Sequence, residues 1–376
     1  MGPRTDPPQS RDGCHVARTE AAREAIYRQR YEIYVLGQGR REAPGVDHVA
    51  GRLVEPDDED ERTTLYYIGT PDDVVGSLRV RSWGPGERPD SITRTYRCDL
   101  LDGLDALAGF EITALMIRQR SRGGQRFLTL TMGAITDAVV RSGAGYMLAD
   151  CTPGLLRLYR RMGLRPYGAP PVMSYRGILL PLIALTGDLA HLRSVSSPLL
   201  AAAQAAIDDG VVQRVPVDHL VAQIEGAKGI EVDPASILSE VDRLLVEPAD
   251  TFFHRLPDAT RKLLFDEGMV VTAHAGTTLV AQGIVDRDIY VVLEGIVEVR
   301  QGDRVLTTLG PGELFGEIAF FHDAGARTAS VMAASDVRVF ILRHQFLSRL
   351  KLRDPVQACE VLWTLGSLLA ARAARS

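Results

Sequence analysis

The sequence predicts an α+β protein of two domains: a mixed-sheet domain, a helical connector, and a closed antiparallel β domain ending in helices. Three observations carry that expectation. The chain has 376 residues, enough at about 150 per domain for two or three separate cores. Its first half alternates strand-like and helix-like segments, which suits a mixed sheet covered by helices. Beyond Thr251, short Val, Leu and Ile runs recur between Gly, Asp and Pro turns, the texture of a closed antiparallel architecture.

Residues 1–17 are polar and proline-rich, without the apolar run of a signal peptide, and read as a disordered leader. Ala22, Ala25 and Ile26, followed by Tyr31 or Ile33, recur at helical spacing and predict an opening helix over 18–36. Segments 63–69 (TTLYYIG) and 75–82 (VGSLRVRS) are β-rich strands joined through Thr-Pro-Asp-Asp turn formers. Segment 111–117 (EITALMI) is a further strand, followed by an Arg/Gly turn and a helix over 125–142. A short strand at 146–150 precedes a helix at 155–162, which stops at Gly163 where a left-handed cap is expected. The run 177–190 (GILLPLIALTGDLA) is broken by Pro181 and Asp188, falls short of the roughly 20 apolar residues of a membrane span, and reads as a buried or docking helix. Further helices are expected at 217–224, at 234–245 with Asp233 as cap and Pro234 at the first position, and over 345–372. The expected divisions are the leader 1–17, a first domain 18–177, a connector 178–250, a second domain 251–350 and terminal helices 351–376.

Lys plus Arg number 43 against 48 Asp plus Glu, a net charge of -5, so no global basic field points to nucleic acid, and the terminal helices show no helix-turn-helix pattern. The four cysteines, Cys14, Cys98, Cys151 and Cys359, form no C-x-x-C pair, which fits a reducing, cytoplasmic setting without a zinc site. Cys151 reads as packing rather than as a nucleophile, because no histidine lies near it in sequence. The acidic run 57–61 (DDEDE) reads as a solvated loop rather than a metal site, since adjacent carboxylates need not converge. No metal is expected.

The most informative stretch is 311–330, PGELFGEIAFFHDAGARTAS. Gly316 and the small Ala319 let backbone N–H groups approach an anion, Arg327 offers a charge-assisted fork to a phosphodiester, and Thr328 adds a hydroxyl. Glu317 would accept from a sugar hydroxyl and repel the phosphate, which orients a ligand carrying both. This stretch resembles the phosphate-binding cassette of the cyclic nucleotide-binding domain family. The resemblance spans about 251–350 and includes Gly276, Gly283, Tyr290 and Gly295, which fall where the family's β-roll has its glycines and its strand aromatic. It implies that Glu317 holds the ribose 2′-OH, Arg327 and Thr328 bind the cyclic phosphate, and Gly316, Ile318 and Ala319 supply the backbone surface. The implied ligand is cAMP, with cGMP as the alternative. Another reading of the residues pairs Glu317 with Arg327 in a β-roll that has lost its ligand.

In the first half, the strand 111–117 runs into a turn flanked by Arg118, Arg120, Arg122 and Arg126, a phosphate seat at a helix N-terminus. The segment 111–168 resembles the GCN5-related acyltransferases. RQRYEIYV (28–35) and EITALMI further resemble the opening and a strand of N-acyl amino acid synthases and acyl-homoserine-lactone synthases, over about 18–175. The resemblance implies a mixed-sheet acyl-CoA N-acyltransferase-like domain in which an amine attacks an acyl thioester directly. Glu111 is the candidate base, directly or through water, or else orients a substrate ammonium. Tyr159 is the candidate acid or a core aromatic. Arg30 pairs either with a substrate carboxylate or with an acidic neighbour. Donor binding is assigned to Ile117, Arg118, Arg120, Arg122, Gly123 and Gly124. Gln125 stands where the superfamily has a small residue, which favours an acyl carrier protein, met by the arginines, alongside coenzyme A as donor. Ala114 stands where the narrower family usually has arginine.

The expected function is cyclic nucleotide-regulated N-acyl transfer to a small amine such as an amino acid. The alternatives are a cyclic nucleotide-regulated protein lysine acetyltransferase and a nonenzymatic acyl-ligand and nucleotide sensor. The resemblance to the cyclic nucleotide-binding domain family is compatible with a homodimer through the terminal helices, for which the sequence itself establishes no interface, and no integral membrane segment is expected.

Overall fold

The early strands are buried on both faces, since the successive Leu65, Tyr66, Tyr67 and Ile68 are all enclosed, and the chain there lies as a mixed sheet. The computed structural model describes residues 13–118, 124–212, 217–227, 230–231, 237, 241, 251–322 and 326–374. The strands are β1 (Cys14–Val16), β2 (Val46–Asp47), β3 (Arg52–Leu53), β4 (Thr63–Thr70), β5 (Asp73–Trp83), β6 (Gly109–Ile117), β7 (Tyr146–Cys151), β8 (Val172–Ser174) and β9 (Gly177–Leu185). All but the β2–β3 pair join one seven-stranded sheet in the order β1-β4-β5-β6-β7-β9-β8. The β4–β5 hairpin turns where Thr-Pro-Asp-Asp predicted it. β6 and β7 are parallel, connected by the 19-residue helix Gly124–Ser142. Part of the expected leader, Cys14–Val16, is the edge strand of this sheet, and residues 1–12 lie outside the described ones. The opening helix runs Glu20–Arg30, capped by the Thr19 hydroxyl, and widens into a π-helix over Tyr31–Gly37.

The run 177–190 is a strand rather than a helix over its first nine residues, all of them buried. A short continuous apolar run does not distinguish a buried strand from a buried helix by periodicity. Pro181, which lacks a donor for any ladder, is accommodated between two pairings: Gly177–Leu179 with β8 on one side, and Ile183 with Arg165 on the other. Helices follow at Leu189–Ser194, Leu200–Asp208 and Asp218–Gly226, the last where 217–224 was expected. The helix expected at 234–245 lies outside the described residues, apart from the buried Ile237 and Val241.

By contact density the chain forms two compact units, Met1–Asp150 with Arg157–Arg165 and Leu182–Gly226, and Cys151–Leu156 with Pro166–Pro181 and Ala227–Ser376. In the second unit lie β10 (Ile230–Glu231), β11 (Met269–Ala273), β12 (Thr278–Val280), β13 (Ile289–Glu294), β14 (Val297–Gln301), β15 (Arg304–Leu309), β16 (Leu314–Phe315), β17 (Ser330–Ala333) and β18 (Val337–Leu342). They form a five-stranded sheet, β10-β11-β18-β13-β16, and a four-stranded sheet, β12-β17-β14-β15. The expected closed β-roll is therefore corrected: neither sheet closes on itself, and among the described residues no ladder joins the two. The chain changes sheets through tight turns, where a ladder is interrupted, rather than through strands that stay paired around a corner. At the β13–β14 turn Gly295 has φ +81°, and a Cβ there would meet the Asp336 carbonyl oxygen at 2.1 Å. Short strands between glycine turns give the same sequence pattern in either arrangement.

Phe252, Phe253, Phe265 and Phe340 form the aromatic centre of this unit's core, against which Val361 and Leu365 of the terminal helix Pro355–Ala373 pack. Among the described residues no helix is long and apolar enough to cross a membrane.

Candidate functional site

Alternation along β5 sends Ser77, Arg79 and Arg81 to one face, and the antiparallel register sets Arg79 opposite Thr113 and Arg81 opposite Glu111. Arg81 donates to Glu111 Oε1 from Nε at 2.9 Å, and its Nη2 lies 2.7 Å from the same oxygen. Arg81 also reaches Asp57 at 3.0 Å, while Arg79 reaches Glu55 at 3.0 Å and Asp57 and Asp58 at 3.3 Å. Arg30 pairs with Asp58, both side chains fully enclosed, which settles Arg30 on an acidic neighbour. Asp58 of the acidic run is thus buried in this ion network with Asp57 at its margin, while Glu59 and Glu61 are exposed as the loop reading expects. Burial pushes the Glu111 carboxyl up from the usual carboxylate range, opposed by Arg81 and then Arg79.

Beside this network the strands separate. β6 pairs with β7 only over Gly109–Ile112 against Tyr146–Ala149, whereas its pairing with β5 continues to Ile117. The register of β6 against β5 shifts between Ser77 and Arg79, a β-bulge around Ala114, which is buried at φ +51°. A left-handed alanine in a strand is strained by roughly 1–2 kcal/mol, and bulges of this kind sit beside active sites more often than chance. Tyr159 lies buried on the helix Leu156–Met162.

Ile117 ends β6, and the Arg118 N–H donates to the Val75 carbonyl at 2.9 Å. The Arg118 guanidinium is held by Glu32 at 2.8 Å and Asp73 at 2.7 Å. Gly124 is exposed at the start of its helix. Arg120, Arg122 and Gly123 lie outside the described residues.

In the second unit, Gly316 adopts φ +88° at the head of the short helix Glu317–Phe321, and a Cβ there would meet Arg327 Nη1 at 2.5 Å. Arg327 is threaded beneath it. Its Nη1 donates to the Gly316 carbonyl at 2.8 Å and its Nη2 to the Asp288 carbonyl at 2.7 Å, with an ion pair to Asp286 and the Tyr290 ring 5.5 Å away. The buried Nε has no partner among the described residues. Glu317 is paired through Oε1 with Arg372 of the terminal helix at 2.8 Å, and Arg372 also donates to the Leu314 carbonyl at 2.9 Å. Burial raises the Glu317 carboxyl. Asp288 is pushed up to about 7, by loss of water first and by Asp286 second. Ile318 and Thr328 are exposed, and Ala319 is buried. A spare guanidinium N–H, an exposed hydroxyl and a backbone crest that only glycine permits fit a cyclic phosphodiester. The pairing of Glu317 with Arg327 considered from sequence does not occur; each takes another partner.

Residues 25–188 match the family described as N-acyl amino acid synthase FeeM, and residues 270–354 match the cyclic nucleotide-binding domain family. The chain joins a FeeM-like acyltransferase domain to a cyclic nucleotide-binding domain. Over 86 residues it is 34% identical to the Pycsar effector protein XpPycTIR of Xanthomonas perforans, covering 22% of this chain and 28% of that one, so it spans little more than a quarter of that relative's length. Among solved structures, it is 31% identical to the catabolite activator protein of Thermus thermophilus, covering 33% of this chain and 58% of that one with a TM-score of 0.29. It is also 31% identical to the N-terminal domain of a transcriptional regulator from Streptomyces coelicolor, covering 32% and 89% with a TM-score of 0.29.

In the FeeM-like domain the sequence singled out Glu111 and Arg30 without their shared context. Arg79 and Arg81 were missed, although an Arg-x-Arg alternation in a strand places both on one face. In the nucleotide-binding domain Asp286, Asp288 and Arg372 were missed. The two aspartates flank Arg287 in the irregular segment before β13 with no local signal of burial, and Arg372 lies 55 positions from Glu317. Among the described residues no group of three or more His, Cys, Asp or Glu is placed to hold a metal ion.

Proposed function

We propose that the chain is a cyclic nucleotide-regulated N-acyltransferase, moving an acyl group from an acyl carrier protein or coenzyme A thioester to the amine of a small molecule, an amino acid in the simplest case. The observation that supports it most is the parting of β6 from β7 beside Glu111, in the domain that matches the FeeM family. Arg81 holds Glu111 through Oε1, and Oε2 is the oxygen assigned to the acceptor. Burial makes the carboxylate a stronger base than one in water. In the reaction Glu111 takes one proton from the substrate ammonium, the amine nitrogen bonds to the thioester carbon, the C–S bond breaks as Tyr159 gives the leaving thiolate its proton, and the second amine proton passes to the Tyr159 phenolate, leaving a neutral amide, a free thiol and a protonated Glu111 that returns its proton to water. Donor binding is assigned to Ile117, Arg118, Arg120, Arg122, Gly123 and Gly124, with the arginines' charge offered to its phosphate or to the carrier's acidic surface.

In the nucleotide-binding domain, the cyclic phosphate of cAMP, or of cGMP, takes Arg327 from Asp286, and the ribose hydroxyl takes Glu317 from Arg372. The same reading includes a homodimer through helix Pro355–Ala373, where Val356 and Trp363 are 70% and 77% exposed, and a cytoplasmic location.

The test follows thiol release from acyl-carrier and acyl-coenzyme A donors by the full chain with and without cAMP or cGMP, alongside mass spectrometry of extracts from expressing cells. Glu111→Gln is expected to lower turnover by 10²–10⁴-fold, the usual worth of a general base. Release unchanged in that variant removes Glu111 as the base, and no release from either donor removes the enzyme assignment. An identical product profile with and without Arg327→Ala removes regulation by the cassette.

A further inference from the structure

Helix Leu200–Asp208 has the sequence LAAAQAAID, and where it faces the first unit's sheet its wall is alanine. Ala203 and Ala206, with Phe110, Val139, Met147 and Leu185, line an apolar cavity of about 140 Å³. The acyl-transfer reading does not use this space. Phe110 and Glu111 are successive residues of β6 and point to opposite faces of the sheet. Beneath the cavity the sheet is closed, because Phe110 and Met147 are partners in the parallel ladder. A chain on the Glu111 face therefore has no passage between the strands at this level, and the cavity is entered from its own mouth.

That mouth carries a sign. Thr136 and Asp209 stand there among apolar residues. The Thr186 hydroxyl, also at the lining, is committed to the Ala144 carbonyl at 2.8 Å. The Asp209 carboxylate is exposed and has no ion-pair partner among the described residues. Asp209 also caps the C-terminal end of the nine-residue helix, where the backbone carbonyls add negative potential. Dry apolar cavities of about 150 Å³ take up benzene, a six-carbon body. Hydrocarbon inside and negative charge outside select a cationic amphiphile over an anionic one.

We propose that this cavity binds a primary alkylamine of about six carbons, its chain among the alanines and its ammonium at Asp209. The site is separate from the thioester cleft and stands whether or not the chain transfers acyl groups.

Isothermal titration of the full chain with hexylamine, hexanol and hexanoate tests it. Hexylamine is expected to bind about tenfold tighter than hexanoate, with hexanol between them, the size of an exposed charge preference. Asp209→Asn, on the surface, is expected to bring hexylamine level with hexanol while hexanol itself is unchanged. Ala206→Phe, which fills the space, is expected to abolish binding of all three; if that variant does not fold, Ala203→Val takes its place and is expected to weaken all three together. Failure of hexylamine to bind overturns the proposal. Equal affinities for hexylamine and hexanoate, or binding indifferent to the cavity-filling substitution, overturn it as well.

Discussion

Both units bury arginines against carboxylates, yet the two clusters are built differently. In the first, Arg81 faces Glu111 and Arg79 faces Thr113 across the backbone ladder, and the remaining carboxylates, Glu55, Asp57 and Asp58, come from the turn at Pro56–Glu59. In the second, Asp286 lies in the irregular segment before β13, Arg327 follows the short cassette helix, and Arg372 comes from the last turn of helix Pro355–Ala373. Charges set by a ladder move only if the sheet breaks. Charges carried on irregular segments and on a helix end can exchange partners at the cost of a side-chain rotation. The first cluster therefore suits a fixed electrostatic frame around one carboxylate, and the second suits ligand-driven exchange.

The largest expected effect breaks the frame. Arg79→Ala removes the buried cation beside Glu55 and leaves Asp58 to Arg30 alone, and is expected to cost about 3–5 kcal/mol of stability in urea unfolding of the full chain, the usual penalty for removing one partner of a buried ion pair. A loss below about 1 kcal/mol would place the network among weak surface pairs instead. Next comes Arg327→Ala, expected to weaken cAMP or cGMP binding about 100-fold in calorimetry, since two charge-assisted bonds to the phosphate are worth roughly 1.5–3 kcal/mol each before compensation. Unchanged affinity would mean that Arg327 serves only Asp286.

Asp288 sharpens the comparison through pH. Its carboxyl is pushed up to about 7 in the folded chain, above an unfolded value of about 3.9. A raised carboxyl contributes stability that is complete below the unfolded value and is lost as pH rises through the folded one. The melting temperature is accordingly expected to fall from pH 4 to about 7, and Asp288→Asn to flatten that slope while keeping an acceptor for the His344 N–H. A slope identical in the variant assigns the pH dependence elsewhere.

Two smaller effects follow. Arg372 is 40% exposed on its side chain, so its pair with Glu317 is screened. Arg372→Gln is expected to tighten nucleotide binding by no more than about fivefold, by releasing Glu317 for the ribose. Weaker binding would make Arg372 part of the ligand site. Ala114→Gly relieves a φ of +51° and is expected to raise stability by up to about 1 kcal/mol in the same urea experiment; a clear loss would show that the alanine methyl packs.

Much of this was readable in advance because it is local. The β4–β5 hairpin, the helix Gly124–Ser142 and the left-handed Gly163 rest on turn chemistry, period and a positive φ, all written in a few adjacent residues. Likewise the cassette residues Gly316, Glu317, Arg327 and Thr328 share one short stretch. The run beginning at Gly177 was misread because a buried strand and a buried helix look alike over nine apolar residues. The closed roll was misread because ladder closure concerns which strands meet, not where strands occur.

By itself the sequence determined the kinds of element, their order and the chemical identity of the charged groups, since these follow from side-chain period, backbone restriction and functional-group chemistry within short windows. Tertiary structure alone decided the partners. Glu111 with Arg81, Arg327 with Asp286 and Glu317 with Arg372 are separated by 30, 41 and 55 positions. A Coulombic contact depends on distance through space and on the water excluded around it, and neither quantity is carried by chain separation.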